Sequence, residues 1–364
     1  MNWSRTKTSV ATLGAALGLA LSLSALAPAA GLAAGSSVPK QFAGTALWVN
    51  QIAPPQTGQQ LAVEAANAGV RTLYVKAAEG STAELQFSAV LVGEMRAAGE
   101  SVCAWTFARG QDPTAEATAA VAAVHDGAQC LVVDAEGEYD KLYGAAQVFV
   151  RALRSQLGAG FPIGLASQAE VAQHPTFPYS VFLGPGAFNA VLPQIYWLDF
   201  GVSVDAAYAA TIGGNSIYGR PILPLGQLYN SPTPAQLTRF RTLARAYGAP
   251  GSSFFDLDVA QPGELEALRA PTPPIARKAV VAPTLHAGAC GDEIVQAQEL
   301  LNAVGAHLPV GGFFGAETER AVSSFQAHHR LSPSGVLGPA TWRALLHFRP
   351  REPSWTSAPP TCEQ

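Results

Sequence analysis

One stretch of the chain sets two carboxylates two residues apart at the end of an apolar run: Leu131-Val132-Val133-Asp134-Ala135-Glu136, followed by Gly137-Glu138-Tyr139. Residues i and i+2 of a strand share a face, so Asp134 and Glu136 should project the same way. Two carboxylates this close, beside apolar walls, have their pKa values driven apart, leaving one a proton donor near neutral pH and the other ionised. Hydrolysis of a glycosidic bond requires such a pair. An aspartate so deep in an apolar strand also needs a partner or a role to offset its desolvation. The expectation is that Glu136 is the general acid and Asp134 its ionised partner.

The elements that must hold this pair recur with near-constant spacing. Apolar runs lie at Ala46–Asn50, Thr72–Ala77, Val102–Phe107, Cys130–Glu136, Pro162–Ser167, Val191–Tyr196, Pro221–Leu225 and Ser253–Leu257, each starting 26 to 32 residues after the last. Helical stretches fill most of the gaps, among them 58–69, 87–99, 114–127, 145–158 and 234–248, and several stop at a glycine. Continuous apolar runs are strands buried on both faces. Eight βα units in about 215 residues predict an α/β fold, a (β/α)8 barrel. In such a barrel the chemistry sits at the carboxyl ends of the strands. Lys76 and Glu79 follow the second strand, Trp105 and Arg109 lie on and after the third, Gln194 and Tyr196 on the sixth, and Asp256 and Asp258 on the eighth. These are candidate substrate contacts. Trp48, Trp105 and Trp197 are candidate sugar-stacking walls, with core packing the competing reading.

The 364 residues are 48% hydrophobic and 13% charged, which excludes a mainly disordered chain. With a net charge of −4 and no Lys/Arg run, neither nucleic acid nor an anionic lipid surface is an expected partner. Arg5 and Lys7 precede an apolar run from about Val10 to Ala30 that ends in small residues, so residues 1–35 are expected to be a secretory signal peptide, with no stable membrane insertion after its removal. Four cysteines in an exported chain suggest disulfides. Three pairings are possible. Cys290 and Cys362 bracket one C-terminal segment, which favours that bridge; Cys103 and Cys130, on consecutive predicted strands, can be bridged or buried and free. No Cys/His spacing suggests zinc, and no cofactor is implied.

Residues 270–283 read APTPPIARKAVVAP, a proline-rich linker between the barrel region, 36–269, and a C-terminal unit. That unit, residues 284–348, is small and helical, with apolar positions at helical spacing: Ile294, Ala297, Leu300 and Leu301, then Ala321, Val322 and Phe325, then Trp342, Leu345 and Leu346. Residues 349–364 are a C-terminal tail.

The chain carries two family resemblances. Lys76-Ala77-Ala78-Glu79-Gly80, Trp105-Thr106-Phe107-Ala108-Arg109, Val133-Asp134-Ala135-Glu136, Gln194-Ile195-Tyr196-Trp197 and Phe255-Asp256-Leu257-Asp258 occur in the order found in the family 25 glycoside hydrolases, and roughly residues 44–260 resemble those muramidases. The resemblance implies that Glu136 is the general acid and that Asp134 assists the reacting sugar. That family carries an Asp-Val-Ser-like motif at the end of the first strand; here the strand reads Leu47-Trp48-Val49-Asn50-Gln51, with Trp48 or Asn50 in place of the acid.

Gly288-Ala289-Cys290-Gly291-Asp292, Gln298-Glu299-Leu300-Leu301-Asn302, Gly312-Phe313-Phe314-Gly315-Ala316-Glu317-Thr318, Phe325-Gln326 and Gly335-Val336-Leu337-Gly338-Pro339-Ala340-Thr341-Trp342 resemble the peptidoglycan-binding domain 1 family over its full length. Gly311 and Ser334 stand where that family has aspartates before its turn glycines. The two resemblances together imply a secreted, cell-wall protein with peptidoglycan as partner: a muramidase-like glycosidase, or, as the alternative, a non-catalytic peptidoglycan-binding protein with a degenerate hydrolase barrel.

Overall fold

The computed structural model describes residues 38–355. The expected signal peptide and Cys362 lie outside them. Strands β1 (Gly44–Val49), β2 (Thr72–Glu79), β4 (Ser101–Ala108), β5 (Leu131–Ala135), β6 (Ile163–Gln168), β7 (Ala190–Gln194), β8 (Leu225–Gln227) and β9 (Gly251–Phe255) run parallel, and β1 pairs with both β2 and β9, closing the barrel. A two-residue strand, β3 (Thr82–Ala83), folds back antiparallel on the end of β2. Helices α1 (Gly58–Asn67), α2 (Ala89–Ala97), α3 (Pro113–His125), α4 (Tyr143–Leu157), α5 (Tyr179–Phe182), α6 (Val204–Ser216), α7 (Pro234–Tyr247) and α8 (Pro262–Arg269) alternate with the strands. Their ends obey local chemistry. Thr57 and Thr233 close capping boxes with Gln60 and Gln236, and Gly248 ends α7 at φ +81°, a conformation that costs a Cβ-bearing residue.

The strands separate two apolar regions. Inside the barrel Trp48, Tyr74, Trp105, Val132, Ala166, Leu192 and Leu225 fill the lumen, while Leu47, Leu73, Leu131 and Leu165 face the helices. Cys103 and Cys130 are bonded across neighbouring strands within the lumen, Cα atoms 4.6 Å apart, so the pairing left open by the sequence is a bridge.

The small domain has α9 (Asp292–Ala303), α10 (Ala316–His328) and α11 (Pro339–Leu345). Two glutamines repeat one device in it. Gln298 Oε1 accepts the N–H groups of Gly311 and Gly312 while its Nε2 donates to Phe313 O and Thr318 Oγ1. Gln326 does the same for Gly335, Val336 and Thr341. Each turn is thus tied to the helix before it and the helix start after it. Phe325 and Trp342 are core, as their spacing suggests.

Residues 271–283 form no helix or strand but do not hang free. Lys278 N donates to Ala246 O at 2.9 Å, and Trp342 Nε1 donates to Pro283 O at 3.1 Å. The small domain is seated on the barrel through α9, whose residues 292–301 are all buried. Asp292, fully buried at the start of α9, accepts from Tyr143 Oη (2.7 Å), Ser180 Oγ (2.6 Å), Ser180 N (2.8 Å) and Tyr218 Oη (2.8 Å). Gln296 Nε2 donates to Ile217 O, and the segment 352–355 lies along α4 through Gln147 and a Tyr143–Trp355 ring contact. A helix buried on all sides is a shared core element rather than the face of an independent module. No helix among the described residues is long and apolar enough to cross a membrane.

Candidate active site

Asp134 and Glu136 stand at the carboxyl end of β5, the barrel's fourth strand. Val132 points into the lumen, and strand alternation carries Asp134 to the same side one step nearer the mouth. Gln194, the last residue of β7, reaches across β6 and donates its Nε2 to Asp134 Oδ1 and to Glu136 Oε1, both at 2.9 Å. One amide with two hydrogens therefore holds both carboxyl groups. Asp134 is only 8% exposed, whereas Glu136 is half-buried and open to the mouth. Burial, then the charge of Glu136, push the Asp134 carboxyl well above the usual carboxylate range, against the hydrogen bond from Gln194. Burial thus favours the protonated form of Asp134, against the sequence expectation of an ionised Asp134. The physical reason is depth: the inner carboxylate has lost more water than the outer one.

Tyr196 lies two residues after Gln194. Its phenol is pushed well upward, first by burial and then by Asp134, so it remains a protonated donor. Its ring meets Tyr229 edge-on at 5.5 Å, and Tyr229 Oη donates to Asp199. On the other side Glu79 pairs with Lys76 at 2.7 Å and with Arg109. Burial alone would raise the Glu79 carboxyl, but these two cations outweigh it and hold it below its usual range. Lys76 also sits over the Trp105 ring at 5.1 Å. Lys76, Glu79 and Arg109 thus make one paired cluster at the mouth. Arg109 is positioned by Glu116, whose buried carboxylate accepts the N–H groups of Arg109, Gly110, Gln111 and Asp112.

Other expected contacts are placed differently. Trp48 is 1% exposed, its Nε1 donating to Ser253 Oγ, and Trp105 Nε1 donates to Val49 O. Both fill the lumen beneath the mouth. Trp197 is fully buried against Phe240 outside the barrel. None of the three offers an open ring face, so the stacking-wall reading is corrected: the lumen and the helix layer each take an indole as filling. Asp256 is buried beyond β9 with an unpartnered Oδ1, and burial followed by the charge of Asp258 pushes it up to about 6. Asp258 accepts from the N–H groups of Asn50 and Gln51, which fastens the first strand's end. Glu116, Asp199 and Tyr229 were not singled out from the sequence. Glu116 lies on a helix and Asp199 and Tyr229 in loops, where neither strand periodicity nor a motif marks them.

Residues 290–345 match the family model of the peptidoglycan binding domain. A stretch of 65 residues is 40% identical to an uncharacterized protein in the bpoA1 3′ region of Kitasatospora aureofaciens, over 17% of this chain and 55% of that protein, so the chain spans about half of that relative's length. A peptidoglycan-binding protein from Clostridioides difficile, solved in complex with glutamine hydroxamate, is 38% identical over 17% of this chain and 40% of its own, with a TM-score of 0.17. The spore cortex-lytic enzyme SleL of Bacillus cereus has a TM-score of 0.50 at 12% identity, covering 62% of this chain and 73% of its own. At that identity the likeness is one of fold. The expected resemblance to family 25 hydrolases accordingly gives way to a broader one of fold alone: the barrel is similar to that of SleL.

Proposed function

We propose that the protein is exported and cleaves the glycan strand of peptidoglycan at the cell wall, with Glu136 as the proton donor and Asp134 as its coupled partner. The observation that carries this reading is the shared Gln194 amide, which holds two carboxyls with one accessible and one buried. Two such groups titrate as a pair. In the free protein the burial of Asp134 favours its protonated form. A bound sugar that covers Glu136 removes its water and raises its proton affinity. The proton then passes to Glu136, which delivers it to the glycosidic oxygen as the bond to the sugar breaks; the newly ionised Asp134 faces the positive charge that builds on the reacting sugar, and a water adds to that carbon and returns its proton to the carboxyl pair. Tyr196, the Lys76–Glu79–Arg109 cluster and Asp256 border this centre as substrate contacts. The matched small domain supports peptidoglycan as the partner, with residues 1–35 as signal peptide, 36–269 as barrel and 284–348 as wall-binding unit. A muramidase-like cut is the finer form of this reading.

Incubation of the mature chain with purified cell walls, followed by reducing-end analysis of the fragments, tests it. Muramic-acid reducing ends are the expected product, and glucosamine ends would move the cut to the other bond. The second reading, a non-catalytic wall-binding barrel, is favoured by the end of the first strand, where Trp48 and Asn50 stand in place of an acid. Walls left intact while the chain sediments with them would decide for it.

A further inference from the structure

The small domain carries a groove of about 790 Å³ between the end of α9 and one face of α10. Glu317, Arg320, Ala321, Ser324, Phe325 and His328 line it from α10, at the three- and four-residue spacing that puts them on one face. Its floor is apolar, with Leu301 and Phe325 buried and Ala306, Ala321 and Leu308 beside them. Its walls are polar, with Arg320 as the one guanidinium. Arg320, His307, His328 and His329 face a single acid, Glu317, and three of the chain's seven histidines are gathered here. Arg320 is exposed and makes no ion pair or hydrogen bond among the described residues, whereas barrel arginines such as Arg154 and Arg239 are fully engaged. The groove's one phenyl ring is covered by His329, stacked on it at 4.1 Å, so the open aromatic platform that a sugar ring would use is missing from its lining.

We propose that this groove binds a short peptide with small apolar side chains and a free carboxylate, which at a peptidoglycan surface is the stem peptide rather than the glycan. Methyl groups meet the apolar floor, and Arg320 takes the carboxylate with the paired N–H groups that suit it. The inference rests on the reading of the chain as a peptidoglycan-bound protein.

The test uses the full chain, purified sacculi, and glycan strands stripped of peptide by an amidase. The chain should sediment with sacculi and lose most of its binding on stripped strands. Arg320→Glu should weaken sedimentation about tenfold or more, since a charge-assisted bond is replaced by repulsion. Ser324→Trp, which fills the groove from an exposed position, should weaken it as well. Unchanged thermal melting of both variants establishes that they fold. Variants that sediment like the parent chain would overturn the groove, and equal binding to stripped strands would overturn the peptide. A parent chain that ignores sacculi altogether would overturn the peptidoglycan reading and the groove with it, a result distinct from the other two.

Discussion

Asp134 and Asp292 are both buried aspartates whose carboxyls are pushed upward by loss of water, yet they do different work. Asp134 has one donor, Gln194, and a second carboxylate beside it that reaches the barrel mouth. Asp292 has four donors from three barrel residues and is sealed in the seam between the two domains. Burial and a raised pKa are common to both, so neither by itself marks a reactive centre. The neighbourhood does: an under-supplied carboxyl next to an accessible partner can give up a proton to a ligand, whereas a fully supplied one holds elements together.

The largest expected difference lies in turnover. Glu136→Gln should lower glycan hydrolysis by about 10²–10⁴-fold, the usual contribution of a positioned acid. Its melting temperature should stay near that of the parent chain, because Gln194 can still bond to the amide oxygen. Wall hydrolysis at the parental rate would remove Glu136 from the role. At the seam the effect should reverse. Asp292→Ala leaves two phenols, a hydroxyl and a backbone N–H without their acceptor, and should cost about 3 kcal/mol of stability in denaturant titration. If turnover of Asp292→Ala at low temperature fell as far as for Glu136→Gln while its stability held, Asp292 would belong to the chemistry and not to the joint.

A smaller contrast is in pH dependence. Burial raises Asp292 to about 6 and, with the Asp292 charge, Glu293 to about 7. Carboxyls raised in the folded state contribute stability that is complete below their unfolded values, near 4, and lost as pH rises through the folded ones. Melting temperature should therefore drift down between about pH 4 and 7, and Asp292→Asn should flatten that drift. Groups held low, such as Glu79 and Asp205, act in the opposite sense at more acid pH. A drift unaltered by the substitution would locate its cause elsewhere.

Legibility in the sequence divides along the same line. The even spacing of apolar runs located the barrel because each strand is buried on both faces, and seven runs overlap their strands closely. The eighth barrel element, β8, is the exception: it is reduced to Leu225–Gln227 with a lone bridge at Ile222, so its apolar run begins ahead of the paired segment. The Asp134/Glu136 pair was readable because strand alternation is a local rule. The seam was not. Residues 270–283 look like a tether in composition, but their backbone bonds to α7, and the burial of α9 depends on partners more than 70 residues away in sequence. The tryptophans failed for a related reason: an indole at a strand end has the same sequence signature whether it lines a cleft or fills a lumen. The Gln298 and Gln326 clamps were missed although they repeat with a later Gly and Thr, a periodicity that sequence alone carries.

The finest test bears on Gln194. Its amide lowers the Asp134 carboxyl against burial and the Glu136 charge, and it also fixes Glu136 toward the mouth. Gln194→Leu keeps the bulk and removes the donor. Asp134 should then hold its proton to higher pH, so the alkaline limb of the pH–rate profile should move upward. The rate on the plateau should fall about fivefold, the equivalent of one net hydrogen bond of about 1 kcal/mol. A merely structural glutamine would lower the rate without moving the limb, and a limb that moved to lower pH would mean that the amide favours the protonated carboxyl. No similar shift is expected from Tyr218→Phe at the seam, which also removes a donor from a buried aspartate but touches no group that faces the mouth. The pair of profiles therefore separates a hydrogen bond that tunes a proton from one that only closes a joint.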